Sequence, residues 1–250
     1  MSAATPQQGW AFFKVGLLVT GVGEREFLPA LFRPLSATGH CHFEVIGRIG
    51  QRSPITGEKK LLKMVGSGKT IPDKDATTIG FAARRWLDGG KDRLVVLVDD
   101  LEHERRDRAR EVFHRYRQAL DVILGKQSPR ASVHFLVNMV EAYYFADASA
   151  INAVLGTSLS DYEGDVEEIR HPKRDLKKLV AFDEKRDGAR IVALLDLAHV
   201  LGRPDTCASL RVLFAWLSVR MGLLWEDEFC LGSGIHDIVT GPQLAAQSAA

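Results

Sequence analysis

Leu94-Val95-Val96-Leu97-Val98-Asp99-Asp100-Leu101-Glu102 is the stretch that decides the fold. An unbroken apolar run, with Gly89-Gly90 upstream and acids downstream, fits a strand buried on both faces, as in a parallel sheet covered by helices. Upstream, Asp75 to Leu87 has helical spacing and is closed by those glycines. Val15 to Val19 is a second buried strand, followed by Gly21 and Gly23 and then by helical spacing over Glu24 to Phe32. Phe43 to Ile49 is a third extended stretch, leading into a polar loop over Gln51 to Thr56.

Downstream, from Glu104 on, Ala109, Val112, Phe113, Tyr116, Leu120 and Ile123 recur every three or four residues, an amphipathic helix that stops near Gly125. Val133 to Val140 then reads as a strand, and Glu141 to Asp147 as helical. Strands alternating with helices predict an α/β fold, a mostly parallel sheet with right-handed crossovers and helices on its flanks. Beyond about Asp161 the pattern is helical, through Lys173 to Val180, Ala189 to Leu201 and Ser209 to Leu224. The chain therefore divides into an α/β domain over 1–160, a helical extension packed on it over 161–242, and a loose tail over 243–250.

Across 250 residues, 33 basic and 32 acidic side chains nearly cancel, so net charge does not announce a nucleic-acid binder. Cys41, Cys207 and Cys230 are far apart and odd in number, which argues against a disulfide framework and for a reducing, cytoplasmic setting. The first residues lack the positive start of a secretory signal, and Val212 to Val219 is too short to span a bilayer, so no membrane association is expected.

The acids after the central strand are the best functional feature. Parallel sheets bind ligands beyond the carboxyl ends of their strands. Carboxylates gathered there can share a hard divalent cation, which prefers oxygen ligands. Successive strand residues face opposite ways, so Asp99 and Asp100 cannot both reach one ion unless the strand has already turned; otherwise Asp100 and Glu102 share a face. The competing role for these acids is to cap the following helix.

Arg105, Arg106 and the arginines after them could track a phosphate backbone, or form ordinary surface pairs such as Glu104 with Arg108. Gly21-Val22-Gly23-Glu24 lacks the third glycine of a dinucleotide loop, since Glu26 stands there. Gly66-Ser67-Gly68-Lys69-Thr70 lacks the first glycine of a phosphate-binding loop, with Lys63 in its place, and reads as a flexible basic loop. No HExxH or GxSxG pattern is present.

Four segments together resemble the Toprim fold of topoisomerases, primases and OLD-type nucleases, and more closely a bacterial Toprim-like family of unknown function. Leu18 to Phe27 is similar to the family's first motif, and Val95 to Glu102 to its Asp-x-Asp strand end. Val140-Glu141-Ala142-Tyr143-Tyr144-Phe145-Ala146-Asp147 resembles its glutamate-initiated helix, and His171-Pro172-Lys173 with Leu176 its later Pro-Lys element.

The resemblance implies phosphodiester hydrolysis with Mg²⁺ or Mn²⁺, a nuclease acting on DNA, with an ATPase partner in defence against foreign DNA. Metal ligands would come from Asp99, Asp100 and Glu102. Glu24 and Glu141 would serve catalysis, and Arg105, Arg106, Lys173 and Arg174 would contact nucleic acid. Two departures bear on catalysis more than on fold: Thr20 stands where the family places a glutamate, and Asp-x-Asp has become Asp99-Asp100-Leu101-Glu102. The alternative these departures favour is a non-catalytic interaction module on the same sheet.

Overall fold

The computed structural model describes residues 12–49, 63–64, 70–71, 74–223, 229 and 231. Its sheet consists of β1 (Phe13–Val19), β2 (Cys41–Arg48), β5 (Arg93–Leu101) and β6 (Ala131–Val137) in the order β2-β1-β5-β6. All three pairings are parallel. The short strands β3 (Lys63–Met64) and β4 (Thr70–Ile71) form a separate antiparallel pair.

Side chains alternate across this sheet, and each strand divides its apolar residues between two cores. Val15, Leu17, Val19, Leu94, Val96 and Val98 face the first core, together with Phe27, Leu28 and Leu31 of α1 (Val22–Leu31) and Leu35 of α2 (Arg33–Ala37). Leu18, Val95, Leu97 and Leu101 face the second core, beneath α3 (Lys74–Leu87) and α4 (Ala109–Leu124). A strand sandwiched in this way needs apolar residues at every position, which is why β5 reads as a continuous run.

The strand order fixes where a ligand site can form. From β1 the chain steps outward to β2 through α1 on the first face, while from β5 it steps the other way to β6 through α4 on the second. The loops that leave β1 and β5 thus diverge and open a crevice at the carboxyl ends of these neighbouring strands.

After β6 come α5 (Val140–Tyr144), α6 (Ala148–Leu155), α7 (Pro172–Leu179), α8 (Arg186–Leu194), α9 (Leu197–Gly202) and α10 (Ala208–Met221). Ile191, Val200, Leu213, Phe214 and Trp216 from these helices lie in the same core as α1 and the first face of the sheet. The helical region beyond residue 161 is therefore the cover of one sheet face and shares its core. Among the described residues no helix is long and apolar enough to cross a membrane.

Several boundaries differ from the sequence reading. The helix expected from Glu104 begins as a 3-10 segment, His103–Arg108, tightened by Arg105 N–H donating to the Glu102 carbonyl at 2.9 Å. β6 stops at Val137 because Asn138 and Met139 both have positive φ, 57° and 73°. The single helix expected over Ala189 to Leu201 is two, since Asp196 caps α9 by accepting from His199 N–H at 3.1 Å. The Gln51 to Thr56 loop, Gly66 to Lys69, Cys230 and the tail over 243–250 lie outside the described residues.

The α3–α4 crossing depends on Gly80: a Cβ there would come within 2.5 Å of Ile123 Cβ and 2.9 Å of the Ala119 carbonyl oxygen. Gly80→Ala is expected to lower stability by about 1–3 kcal/mol through overpacking, read as a lower urea midpoint. An unchanged midpoint would contradict this packing.

Candidate functional site

The end of β5 sends its two aspartates to opposite faces. The strand stays paired with β6 through Asp99, Asp100 and Leu101, so it has not turned when the acids are reached. Asp99 points to the α4 side and is fully buried. Its carboxylate accepts hydrogen bonds from Thr20 Oγ1 at 2.8 Å, Arg105 Nη2 at 2.7 Å and Tyr116 Oη at 3.1 Å. Arg105 also donates to the Asp100 carbonyl at 3.1 Å. A buried carboxylate survives only if paired and hydrogen-bonded, and here a guanidinium and two hydroxyls do both. Thr20 thus ties the end of β1 to Asp99, and Arg105 ties the turn after β5 to the same group.

Asp100 points the other way, into the crevice. Its carboxyl is in hydrogen-bonding contact with that of Glu24 and lies in the field of Glu141. Burial first, then the Glu24 contact and the repulsion of Glu24, Glu141 and Asp99, raise its pKa well above the usual carboxylate range. Two carboxyl groups in hydrogen-bonding contact require a proton between them, so the pair holds on to one as pH rises.

Glu24 is delivered by the glycine turn after β1. It is the third residue of α1, buried, and its carboxyl folds back over the Gly21 Cα: a Cβ at Gly21 would lie 2.8 Å from Glu24 Cδ. The glycine at 21 therefore makes room for a carboxylate. Glu24 Oε2 is enclosed and has no hydrogen-bond partner among the described residues.

Glu141 arrives from β6 through a strained connection. Met139, at φ 73° and ψ 164°, occupies a region that is costly for any residue but glycine, on the order of 1–3 kcal/mol. Buried hydrogen bonds hold it there. Asn138 N–H donates to the Leu101 carbonyl at 2.9 Å, Asn138 Nδ2 to the Glu167 carbonyl at 2.7 Å, and Val137 N–H to Tyr143 Oη at 3.2 Å. Tyr143 Oη donates in turn to Glu167 Oε1 at 3.0 Å, and Glu167 also accepts from Ser209 N–H at 2.8 Å and Ser209 Oγ at 3.0 Å. Burial, with repulsion from Asp165 behind it, raises Glu167 to about 7.

Glu141 itself is buried, and burial raises its pKa against the pull of Lys173, whose Nζ lies 3.6 Å from Glu141 Oε1. Lys173 Nζ is 3.3 Å from Glu184 Oε2, and Lys177 Nζ is 2.9 Å from Glu184 Oε1. Tyr144, fully buried, completes the group, with Glu141, Asp100 and Glu184 as the charges acting on its hydroxyl.

The structure thus brings Asp100, Glu24, Glu141 and Lys173 together and separates them from Asp99. Glu102 leaves the strand as the residue before the 3-10 segment and is not among the charges acting on Asp100, so Asp99, Asp100 and Glu102 do not form one ligand set. Of the cations expected to meet nucleic acid, Arg105 is bonded to Asp99, Arg106 Nη2 to Glu168 Oε1 at 2.5 Å, and Lys173 to Glu141 and Glu184. Arg174 is exposed.

Glu184 was invisible in sequence because it stands in no motif, and Tyr144, though it lies in the Val140 to Asp147 segment, has no spacing that singles it out. Among the described residues no three His, Cys, Asp or Glu side chains are grouped so that they could hold a metal ion. The donors at hand are hard carboxylate oxygens in excess over cations, one of them unpartnered, which suits Mg²⁺ or Mn²⁺ in kind.

No family model, curated protein or solved structure matches the chain.

The two aspartates should respond oppositely to neutralisation. Asp99→Asn is expected to cost about 3 kcal/mol at neutral pH, since it breaks a buried ion pair. The raised pKa of Asp100 means that its stabilising contribution is complete below the ordinary carboxylate range and is lost as pH rises through the folded-state value. Asp100→Asn should therefore melt higher than wild type near pH 8, by about 2–4 °C per kcal/mol of relieved repulsion, and show no gain near pH 4. Thermal melts at both pH values check each variant.

Proposed function

We propose that the chain is a divalent-metal-dependent phosphodiesterase acting on DNA, with Glu24, Asp100 and Glu141 as the acids that hold the ion. One observation carries this reading. Three carboxylates from the ends of the neighbouring strands β1, β5 and β6, Glu24 and Glu141 buried and Asp100 half-buried, lie at the carboxyl edge of a parallel sheet within one another's electrostatic reach, with Lys173 beside Glu141. Natural proteins keep buried repulsion of this kind where function requires it.

A bound divalent cation would supply water ionisable near neutral pH and polarise a phosphoryl oxygen. The chain's own groups account for the rest. If the ion displaced the proton between Glu24 and Asp100, either carboxylate could take a proton from an attacking water and return it to a leaving oxygen. Lys173, held between Glu141 and Glu184, is placed to meet a phosphate once either acid is engaged elsewhere. Arg174, exposed on α7, can follow the backbone beyond the site. The DNA substrate and an ATPase partner rest on the Toprim resemblance alone.

A second reading, a Toprim-like module without catalysis, is favoured by Thr20. Its hydroxyl binds Asp99 from the position where that family places a glutamate, and Asp99 is saturated by donors.

Plasmid incubated with the purified chain in Mn²⁺ or Mg²⁺ tests the proposal. Cleavage is expected, falling by about 100-fold or more in Glu24→Gln and Asp100→Asn while Glu102→Ala stays near wild type. No metal-dependent cleavage, or cleavage indifferent to Glu24 and Asp100, contradicts it and leaves the second reading.

A further inference from the structure

Glu167, in the 3-10 turn Val166–Glu168, is a buried acid outside the crevice that the proposed chemistry does not use. Its carboxylate joins two helices through neutral donors. Oε1 accepts from Tyr143 Oη of α5 at 3.0 Å and from Ser209 N–H of α10 at 2.8 Å, and Oε2 accepts from Ser209 Oγ at 3.0 Å. The start of α10 depends on this help. Its cap residue, Cys207, stands at φ 60° and ψ 36° and gives no side-chain bond, so Glu167 supplies the acceptor that a helix N-terminus ordinarily draws from its own cap. The same turn holds the junction that delivers Glu141. The Glu167 carbonyl accepts from Asn138 Nδ2 at 2.7 Å, and Tyr143 Oη, which donates to Glu167, accepts from Val137 N–H. One acid therefore ties the end of β6, the start of α5 and the start of α10.

We propose that Glu167 is a pH-sensitive latch: protonated, it clamps α10 to the β6–α5 junction, and ionised, it lets the turn Val166–Glu168 part from Ser209 and Tyr143 so that its charge reaches water. This does not rest on the metal reading, since none of these bonds involves Glu24, Asp100 or Glu141. The donors decide where the proton sits. Ser209 N–H cannot reverse its role, so Oε1 stays an acceptor, whereas the Ser209 hydroxyl can turn from donor to acceptor and receive a proton held on Oε2. The groups facing Glu167 are Asp165 from its own loop, Tyr143 from α5, Cys207 from the start of α10 and Arg106 from the 3-10 segment after β5. Burial pushes the Tyr143 phenol well above its ordinary value and the Cys207 thiol up to about 12, so neither ionises near neutrality, and Arg106 is paired with Glu168. Glu167 is the member that changes charge, raised from 4.5 to about 7 by burial and then by Asp165. An acid raised in the closed state and ordinary in the open one stabilises closure fully below 4.5, and that stabilisation is lost as pH rises through 7. The difference between those two values makes opening easier by on the order of 100-fold across the window.

Amide hydrogen exchange of the full chain, read residue by residue from about pH 4 to pH 8 and corrected for intrinsic rates, tests this in wild type, Glu167→Gln and Ser209→Ala. Glu167→Gln imitates the protonated acid, with an oxygen to accept from Ser209 N–H and Tyr143 and an amide to donate to Ser209 Oγ. In wild type the Ser209 and Asn138 amides should lose protection by on the order of 100-fold as pH rises, and at pH 8 should exchange faster than the Val96 amide in the middle of β5. Glu167→Gln should keep its low-pH protection at Ser209 up to pH 8. Ser209→Ala takes the donor from Oε2, which raises the acid further and should move the loss to higher pH. Protection in wild type that does not fall with pH, or that falls equally in Glu167→Gln, overturns the latch. Exchange at Ser209 and Asn138 no faster than at Val96 makes the opening global unfolding and also overturns it. Should Glu167→Gln fail to fold, Ser209→Ala decides, and a midpoint unmoved from wild type overturns the proposal.

Discussion

Asp99 is a charge taken out of water at the edge of a sheet, and the geometry of the site depends on how that charge is neutralised. Thr20 reaches it from the end of β1, Tyr116 from α4, and Arg105 from the turn after β5. These bonds fix the ends of two neighbouring strands relative to each other. On the opposite face the same strand ends carry Asp100 and lead into the helix bearing Glu24. The network around Asp99 therefore sets the separation of an acid pair that it does not touch through its own side-chain bonds. A neutralised charge on one face allows an unneutralised pair to be held on the other.

The second constraint is topological. With strand order β2-β1-β5-β6, the chain leaves β1 and β5 toward opposite faces, and the crevice between those departures cannot be filled by either connection. Glu24 and Asp100 stand at its two sides, and Glu141 enters from β6 across the strained pair Asn138 and Met139. Strain of this kind persists only where surrounding contacts enforce it. Here the buried Glu167, with Tyr143 and Ser209, does so. The acids of the crevice therefore stand on two polar networks, one on each face of the sheet.

Much of the fold was legible because buried parallel strands are continuous apolar runs: Leu94 to Val98 and Val15 to Val19 lie inside β5 and β1. The flanking amphipathic helices were legible from their periodicity. The breaks were less so. Asp196 splits a helix by capping with its side chain, and a strand ends at Asn138 and Met139, the methionine in a conformation that no propensity favours.

At the site, strict alternation along a strand left Asp99 and Asp100 able to serve one ion only if the strand had turned before them, and β5 instead remains paired past both. What spacing could not reveal was which acid is neutralised, because Arg105 and Tyr116 lie on another face and another helix. Nor could it show that Gly21 gives way to the Glu24 carboxyl rather than to a phosphate. Glu102 looked equivalent to Asp100 in sequence, but the chain has left the sheet by the time it is reached.

The central claim is that Asp100, in contact with Glu24, holds a proton well above the ordinary carboxylate range. Carbon-13 NMR of the side-chain carboxyls across a pH titration reads this directly. The Asp100 carbon should titrate well above the ordinary aspartate value of about 3.9 in wild type, and in a lower step in Glu24→Gln. Under the proposed metal reading, adding Mg²⁺ should displace that step to lower pH, because an ion held by these carboxylates would compete with the proton. An Asp100 carboxyl titrating near the ordinary value, with or without Glu24, would contradict the account.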